Sequence, residues 1–545
     1  MENRNLIIAF ILILGVWFGS SLLFPAKPVP QADRGSAEVQ TSGEKAETSF
    51  SEKNVSDDRE LKQTTLPLPE SAAALESREL VVETDLFTAV FTNSGGRLKS
   101  LTLKDYRQTP KKDSPLVSLV SVKDDHLATL RTSGLGDFGF SSETLFSMAT
   151  QEDLLVLGPG EQKEIVFSTQ ADSGLRVDKV FTVYGDRYDF DLQVRVTNTS
   201  SQPRRGSLSL ALVQPWDDSM DKSRYSFTGP AVFEDEKVHT YKVEDIEEQA
   251  VEHGEGAGWT AFEKEYFMAA AVPLTGAGEN YRLAKVGQAV ENSIVSDVRI
   301  VNPGEQTAFE FLLYYGPRDL EILKKVGHSL EEAIDFGFFG VIARPLLSVL
   351  KFFYQYVGNY GVAIILLTFI IKLLFWPLTR KSYQSMKSMQ TLQPEMQKIR
   401  EKHKNDKEKM NKEIMELYKT KRVNPMGGCL PMFIQIPVFF ALYKVLLGTI
   451  ELRHAPFVFW IQDLAAKDPY YITPLIMGAT MFIQQKMSPS TMDPAQAKIF
   501  MFMPIIFTFM FLNFPSGLVL YWLVNNLLTI LQQWFINRES KPATA

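Results

Sequence analysis

The sequence predicts a multidomain membrane protein: an N-terminal anchor helix, a large extracytoplasmic antiparallel β-sandwich, and an α-helical core of five membrane spans. Three observations predict this fold class. Long apolar runs lie at the start of the chain and after residue 357, and short alternating strands fill residues 79–328. The charge is also divided: residues 25–340 carry a net −19 and residues 341–545 a net +12, within a total of −7 over 545 residues.

Residues 1–24 are predicted to form a transmembrane anchor. Residues 6–24 are 19 residues without a charge, which is long enough to span a bilayer, and "SLLFPAKP" offers a poor signal-peptidase site. Residues 25–78 are rich in Pro, Ser, Glu, Gln and Lys and hold one aromatic residue, Phe50. Such a segment cannot bury enough apolar surface to offset chain entropy, so it is predicted to be a disordered linker.

Residues 79–328 alternate with period two, which is typical of strands buried on one face. Turn signals such as "NSGG" (93–96) and "TNTSSQP" (197–203) separate the strands. The stretches "RYDFDLQVRV" and "SLSLAL" place on one face the residues Tyr188, Phe190, Leu192, Val194 and Val196, and Leu208, Leu210 and Leu212. We expect a large antiparallel β-sandwich that serves as a binding or spacer domain, because no constellation of titratable residues stands out in it.

Residues 329–357 are amphipathic, with acidic residues early and basic residues later. Ile334, Phe338, Val341 and Ile342 follow helical spacing. Next to a membrane domain, such a helix is predicted to lie in the interface plane. The alternative is an ordinary core helix of the sandwich.

Residues 358–538 are predicted to form the five-span core. Its apolar segments are 358–377, 428–448, 471–487, 499–514 and 516–536. With the anchor there are six spans, so both termini lie on one side. Residues 379–424 hold 13 Lys and Arg against 6 Asp and Glu, which the positive-inside rule assigns to the cytoplasm. Both termini, including the tail 539–545, are therefore predicted to be cytoplasmic and the sandwich extracytoplasmic.

The insert 379–422 is predicted to be a cytoplasmic helical hairpin with a turn at "KNDK". Its narrow apolar stripe is rich in methionine, which suits adaptable contacts with varied apolar partners. The alternative is a pair of solvated helices held by charge pairs. The expected contact residues are Met386, Met389, Met410 and Tyr418.

Several polar residues lie inside the predicted spans. Lys372 is four residues before Trp376, so snorkelling of its ammonium to the headgroups is one interpretation. Other polar residues favour a shared wet cavity in the inner leaflet, closed toward the outside, because amides that face lipid cost free energy. These are Thr368, Gln435, and, on the last span, Trp522, Asn525, Asn526, Thr529, Gln532 and Gln533.

Other classes of chemistry find little support in the sequence. The six histidines are scattered without metal-ligand spacing, Cys429 is the single cysteine, and there is no Walker A loop, nucleophile elbow or HExxH motif. We therefore expect no cofactor, no metal, no nucleotide hydrolysis and no specific nucleic acid binding. A transporter or channel for a small anion stays an alternative, and an intramembrane enzyme is a third.

Four motifs stand out in the predicted core: "VNPMGGCLPMFIQIPVFFALYKVLLG", "DPYYITPLIMG", "QQKMSP" and "FPSGLVLYWLVNNLLTILQQ". They resemble the YidC/Oxa/Alb family of membrane protein insertases, and essentially the whole chain resembles the YidC of Gram-negative bacteria. The resemblance implies a β-supersandwich outer domain and an insertase core in the bacterial inner membrane. Such a core would act on nascent membrane proteins within the lipid bilayer, alone or with the Sec translocon.

The resemblance also implies roles for individual residues. The groove charge of the family matches Lys372, the neighbouring threonine matches Thr368, and the substrate-contacting aromatic residue matches Trp522. The hairpin 379–422 would receive substrate, ribosome or targeting factors. Relatives usually carry arginine at the position of Lys372 and tyrosine at that of Trp522, so only the charge role transfers. Lysine lacks the planar guanidinium fork.

Overall fold

The computed structural model describes residues 76–217, 220, 227–254, 256–274, 280–403, 406–421, 423, 430–488 and 501–539. The predicted anchor 1–24, nearly all of the linker 25–78, and the tail after residue 539 lie outside the described residues. The predictions for those segments stay predictions.

Twenty strands follow one another in the described part of the N-terminal half. They are β1 (Glu79–Glu83), β2 (Phe87–Thr92), β3 (Arg97–Arg107), β4 (Leu116–Ser121), β5 (Arg131–Gly136), β6 (Ser147–Met148), β7 (Leu154–Val156), β8 (Gln162–Gln170), β9 (Leu175–Tyr184), β10 (Asp189–Asn198), β11 (Arg204–Pro215), β12 (Gly229–Glu234), β13 (Lys237–Thr240), β14 (Val251–His253), β15 (Ala257–Glu263), β16 (Phe267–Pro273), β17 (Asn280–Val286), β18 (Ala289–Val295), β19 (Arg299–Val301) and β20 (Gln306–Pro317).

Three sheets are built from these strands, in the orders β4-β3-β2-β1-β7, β13-β12-β15-β16-β20-β10-β9-β8-β6 and β14-β17-β18-β11-β19, with β5 also paired to β11. Pairing among the described strands is antiparallel except between β1 and β7. The predicted large antiparallel β-sandwich is confirmed.

The period-two pattern identified the buried faces correctly. In β10, Phe190, Leu192, Val194 and Val196 are at most 1% exposed, and the alternate residues Asp191, Gln193, Arg195 and Thr197 are more exposed. The "NSGG" turn joins β2 to β3 with Gly95 at φ +73°. A Cβ on Gly95 would lie 2.1 Å from the carbonyl oxygen of Ser142, so only glycine fits there.

Helices dominate the C-terminal half. After α1 (Val243–Glu248) and α2 (Leu320–Val326), which belong to the sandwich region, the described helices are α3 (Gly340–Val357), α4 (Tyr360–Leu374), α5 (Trp376–Thr391), α6 (Gln393–Lys402), α7 (Lys407–Thr420), α8 (Leu430–Gly448), α9 (Ile472–Met487), α10 (Met503–Phe511) and α11 (Ser516–Glu539). The predicted combination of a β-sandwich with a helical C-terminal core is therefore confirmed.

The helix predicted over 329–357 begins only at Gly340. Two short 3-10 turns precede it, at Leu330–Ala333 and Gly337–Phe339. Ile334 is buried ahead of the helix, so it does not share one helical stripe with Phe338 and Val341, which are 93% and 87% exposed. The position of the helix in the interface plane stays a prediction. Glycine at 337, with φ +65°, interrupts the helical path that the spacing suggested.

Capping residues and prolines set the helix boundaries in the core. Gly358 at φ +61° ends α3, and the side chain of Asn359 accepts a hydrogen bond from the Val362 amide to begin α4. The predicted first arm of the hairpin is two helices, α5 and α6, which meet at Leu392 just before Pro394. Proline has no N–H to donate to the carbonyl four residues earlier and is tolerated in the first turn of a helix, so Pro394 ends the α5 hydrogen-bond pattern and lies at the start of α6.

By length and apolar composition, one helical stretch among the described residues could cross a membrane by itself, Gly337–Val357. The pair Tyr360–Leu374 and Trp376–Thr391 is a second candidate if it is counted as one broken span, bent by 61°. The five-span count, which includes shorter helices, stays a prediction.

Charged contacts join the sandwich region to the helical core. The ammonium of Lys351 on α3 lies 2.7 Å from a carboxylate oxygen of Glu451 and 3.5 Å from one of Asp319. The guanidinium of Arg453 donates to the carbonyl oxygen of Arg107 at 2.5 Å and lies 5.3 Å from the ring centre of Phe267. These contacts link α3, the segment after α8, and the β-sandwich.

Candidate functional site

A chain of hydrogen bonds connects three core helices around Lys372, in the last turn of α4. The ammonium of Lys372 donates to Oγ1 of Thr529 on α11 at 2.8 Å. The Thr529 hydroxyl in turn donates to the carbonyl oxygen of Asn525 at 2.6 Å. The Asn525 side-chain oxygen accepts from Nε2 of Gln435 on α8 at 3.0 Å. We call Lys372, Thr529, Asn525 and Gln435 the polar track.

The charge of the polar track lacks a counter-ion in the described part of the chain. No described carboxylate forms an ion pair with Lys372, and its hydrogen bond goes to the neutral hydroxyl of Thr529. An ammonium has three N–H donors, and this bond uses one of them. Lys372 as a whole is half-buried, and its two remaining donors have no carboxylate partner among the described residues.

Thr368 lies one turn before Lys372 and is enclosed. Its side chain is 1% exposed, and its hydroxyl donates to the carbonyl oxygen of Ile364 at 2.6 Å. The structure therefore gives Thr368 a packing position within α4, with its hydrogen bond already made inside the helix.

The polar residues of α11 divide into two faces. Asn526, predicted to line the cavity, is 2% exposed and donates to Oγ1 of Thr480 on α9 at 3.4 Å. Gln533 donates to Oγ of Ser488 at 3.0 Å and also to the hydroxyl oxygen of Tyr383 on α5. These two residues hold α11 against neighbouring helices and lie outside the polar track.

Trp522 belongs to an aromatic cluster one turn before Asn525. Its ring centre lies 4.9 Å from that of Phe439 at 90°, 5.2 Å from that of Phe511 and 6.1 Å from that of Phe507. The three phenylalanines were not predicted to lie at the site, because they sit in continuous apolar runs in which apolar and polar residues do not alternate with a helical period. Their spacing of four between Phe507 and Phe511 was the available signal.

The predicted contact residues of the hairpin are partly used within the hairpin itself. Met389 is 7% exposed, and the Tyr418 hydroxyl donates to the sulfur of Met396 at 3.4 Å. Met386 and Met410 are half-buried.

Ion pairs also cross the hairpin. Lys402 lies 3.1 Å from Glu413, and Lys421 lies 3.2 Å from Glu395. A methionine-rich apolar seam and a charge-paired exterior therefore coexist in this segment.

Comparison with known proteins decides the family. The profile of the 60Kd inner membrane protein family matches residues 352–543, and that of the YidC periplasmic domain matches residues 79–349. The Geobacter metallireducens membrane protein insertase YidC is 45% identical over 549 residues, covering 100% of both chains. The chain belongs to the YidC family of membrane protein insertases. A second YidC, from Citrifermentans bemidjiense, is 44% identical over 99% of both chains.

Two solved structures are similar to parts of this chain. A crystal structure of an active YidC insertase covers 84% of this chain and 92% of its own, with a TM-score of 0.35 and 18% identity. A galactose mutarotase related enzyme from Lactobacillus acidophilus covers 44% of this chain and 97% of its own, with a TM-score of 0.31 and 8% identity. The family assignment rests on the sequence matches. It makes the chain a membrane protein insertase of the inner membrane with a periplasmic domain, in a family that is not a class of enzymes.

Proposed function

We propose that this insertase receives the polar segment of a nascent membrane protein along the polar track, while the apolar segment of that protein enters lipid. Lys372 serves as an electrostatic receptor and performs no covalent chemistry. The observation that carries the proposal is the half-buried Lys372, whose ammonium is bonded to Thr529 at 2.8 Å and is unpaired with any described carboxylate. Acidic residues of the substrate supply the missing negative charge.

The energetics favour such a role. An apolar segment of about 20 residues gains about 10 kcal/mol on entering lipid, whereas each charge at mid-bilayer costs about 2.5–3.5 kcal/mol. Partitioning therefore drives insertion overall, and the charged tail sets the barrier. A polar surface that extends part-way across the membrane shortens the apolar path of the tail.

Photocrosslinking tests the proposal with Lys372 left intact. A photoreactive residue replaces Gln435 or Trp522 during synthesis of a small single-span membrane protein, and the control position is Asn526, which is buried against Thr480. We expect adducts with the nascent chain at 435 and 522 and few at 526. Adducts with lipid alone at 435 and 522 would make Lys372 a snorkelling residue.

The placement of the chain in the membrane is part of the proposal. We infer that both termini and the hairpin face the cytoplasm, supported by the 13 basic against 6 acidic residues of 379–424. Single cysteines in the hairpin of a Cys429→Ser protein, in right-side-out and inverted vesicles, test this with an impermeant thiol reagent. Labelling only in inverted vesicles is expected, and labelling in right-side-out vesicles would contradict the topology.

We further propose that the hairpin contacts the ribosome or targeting factors and that the insertase works alone or with the Sec translocon. The basic, charge-paired exterior of α6 and α7 supports the first contact, because ribosomal RNA is strongly anionic. Co-sedimentation with ribosomes at increasing salt, compared with a variant whose Lys409 and Lys412 are changed to Gln, tests it. Equal sedimentation of both proteins would contradict the contact.

A further inference from the structure

Gln532 continues the polar track by one turn. Asn525, Thr529 and Gln532 follow the spacing i, i+4, i+7 on α11. At 3.6 residues per turn, Gln532 lies within about 20° of Asn525 around the helix axis and about 4.5 Å along the axis beyond Thr529. Asn526 is about 100° away and Gln533 about 80° away on the same scale, toward the face that packs on α9.

The amide of Gln532 is buried and lacks partners. The residue is 2% exposed, and neither its Nε2 nor its Oε1 forms a hydrogen bond with a group among the described residues. Its neighbour Gln533 differs, because its amide nitrogen donates to Ser488 and Tyr383, and only its oxygen is unpaired. An unpaired amide destabilises a folded protein, so this group indicates a position that a ligand completes.

The chemistry of the amide indicates which ligand. A glutamine side chain offers two N–H donors and one carbonyl acceptor without charge, which matches a peptide group. A polypeptide that crosses the inner leaflet in extended form has main-chain N–H and C=O groups that must find partners away from water. We propose that Gln532 binds the main chain of the translocating segment of the substrate. This inference rests on the proposed function of the polar track.

Entry of substrate at this level involves α5. The hydrogen bond between Gln533 and Tyr383 joins α5 to α11 immediately beside Gln532. Ser382, the residue before Tyr383, is itself 5% exposed. Gln532 itself is 2% exposed, so a main chain reaches it only where the helices packed against this end of α11, α5 among them, move apart.

The test compares Gln532→Met with the matched control Gln533→Met in the full-length protein reconstituted in vesicles. Methionine keeps the length and volume of glutamine and removes the amide. Two substrates are used that share one apolar segment and differ only in an acidic or uncharged tail. We expect Gln532→Met to slow insertion about fivefold for each hydrogen bond lost, equally for both tails, because both carry the same main chain. Gln532→Asn should restore part of the rate.

Thermal unfolding separates binding from packing. The melting temperature of Gln532→Met should equal or exceed that of the wild type, because an unpaired buried amide has been removed. That of Gln533→Met should fall with the loss of its bonds to Ser488 and Tyr383. An unchanged insertion rate in Gln532→Met overturns the inference, and so does a lower rate accompanied by a lower melting temperature.

Lys372→Gln distinguishes failure of this inference from failure of the proposed function. If Lys372→Gln slows the acidic-tail substrate while Gln532→Met slows neither, only the inference about Gln532 is wrong. If neither variant slows either substrate, the polar track does not carry substrate and both proposals fail.

Discussion

Lys179 in the sandwich and Lys372 in the helical core both lack a carboxylate partner among the described residues. Lys179 on β9 is 0% exposed, and its ammonium donates to the carbonyl oxygens of Gly95 at 3.0 Å and Leu130 at 3.1 Å. Lys372 on α4 is half-buried and donates to one hydroxyl. The difference is the donor capacity that stays accessible. The enclosed nitrogen of Lys179 is bonded to backbone carbonyls within the fold, whereas a partly open lysine can meet a ligand.

The largest expected effect is on stability, at Lys179. Lys179→Ala removes a large enclosed side chain and leaves two carbonyl oxygens unpaired, which should cost about 3–5 kcal/mol of unfolding free energy. Denaturant unfolding of the full chain in detergent measures it, followed by tryptophan fluorescence in a protein that keeps the buried Trp259 and has its other six tryptophans replaced by phenylalanine. A loss below about 1 kcal/mol would mean that the site collapses around alanine and that the enclosure is unimportant.

The same substitution at Lys372 should act on function. Lys372→Ala loses a single half-exposed hydrogen bond, so the unfolding free energy should fall by about 1 kcal/mol or less. Insertion of an acidic-tail substrate should slow about tenfold if the lysine offsets about half of the 2.5–3.5 kcal/mol cost of one charge.

Lys372→Arg is the control for Lys372→Ala and should insert at nearly the wild-type rate, because it keeps the charge. Equal slowing of acidic and uncharged tails in Lys372→Ala would contradict a charge receptor.

The burial of Lys179 should also make the stability of the protein depend on pH. Burial lowers the pKa of Lys179 well below its ordinary 10.5, with a smaller contribution from Arg97. The unfolded chain then holds a proton that the folded chain has released, so stability rises with pH in the window between the folded pKa and 10.5. The slope reaches about 1.4 kcal/mol per pH unit for one proton. In Lys179→Met this part of the slope should vanish, and parallel pH profiles of the two proteins would contradict it.

The smallest effect concerns the connection between the two regions. Lys351→Gln breaks the contacts with Glu451 and Asp319, at 2.7 Å and 3.5 Å, and should cost about 1 kcal/mol in this partly exposed setting. Limited proteolysis between the sandwich and the core should speed up. The matched control is Lys324→Gln, whose contact with Glu321 is exposed and 4.0 Å long. Equal cleavage rates in the two variants would show that Lys351 does not link the regions.

The sandwich was predictable to the level of single residues, since a period of two separates two opposite faces. Leu192 and Gln193 on β10 had to point to different sides, and they do. The sheet order was not predictable, because pairings such as that of β10 with β20 join residues 117 apart, Gln193 and Glu310 among them.

The site was predictable in part. Helical spacing grouped Asn525 with Thr529, but it could not show that Asn526, about 100° around the helix, would face Thr480 instead. Which helix covers which face depends on tertiary packing, which one sequence does not state. The 3-10 turns before α3 could not be predicted either, whereas Pro394 itself indicates the break between α5 and α6.

The bend at Phe375 has a mechanical consequence. Lys372 lies three residues before the bend of 61°, and α5 extends 16 residues beyond it, a length of about 24 Å at 1.5 Å per residue. A rotation of about 5° at this hinge would carry the far end of α5 through about 2 Å and leave Lys372 nearly where it was. The hairpin can therefore act as a lever that pivots next to Lys372, so that a large movement of its far end becomes a small movement at the lysine.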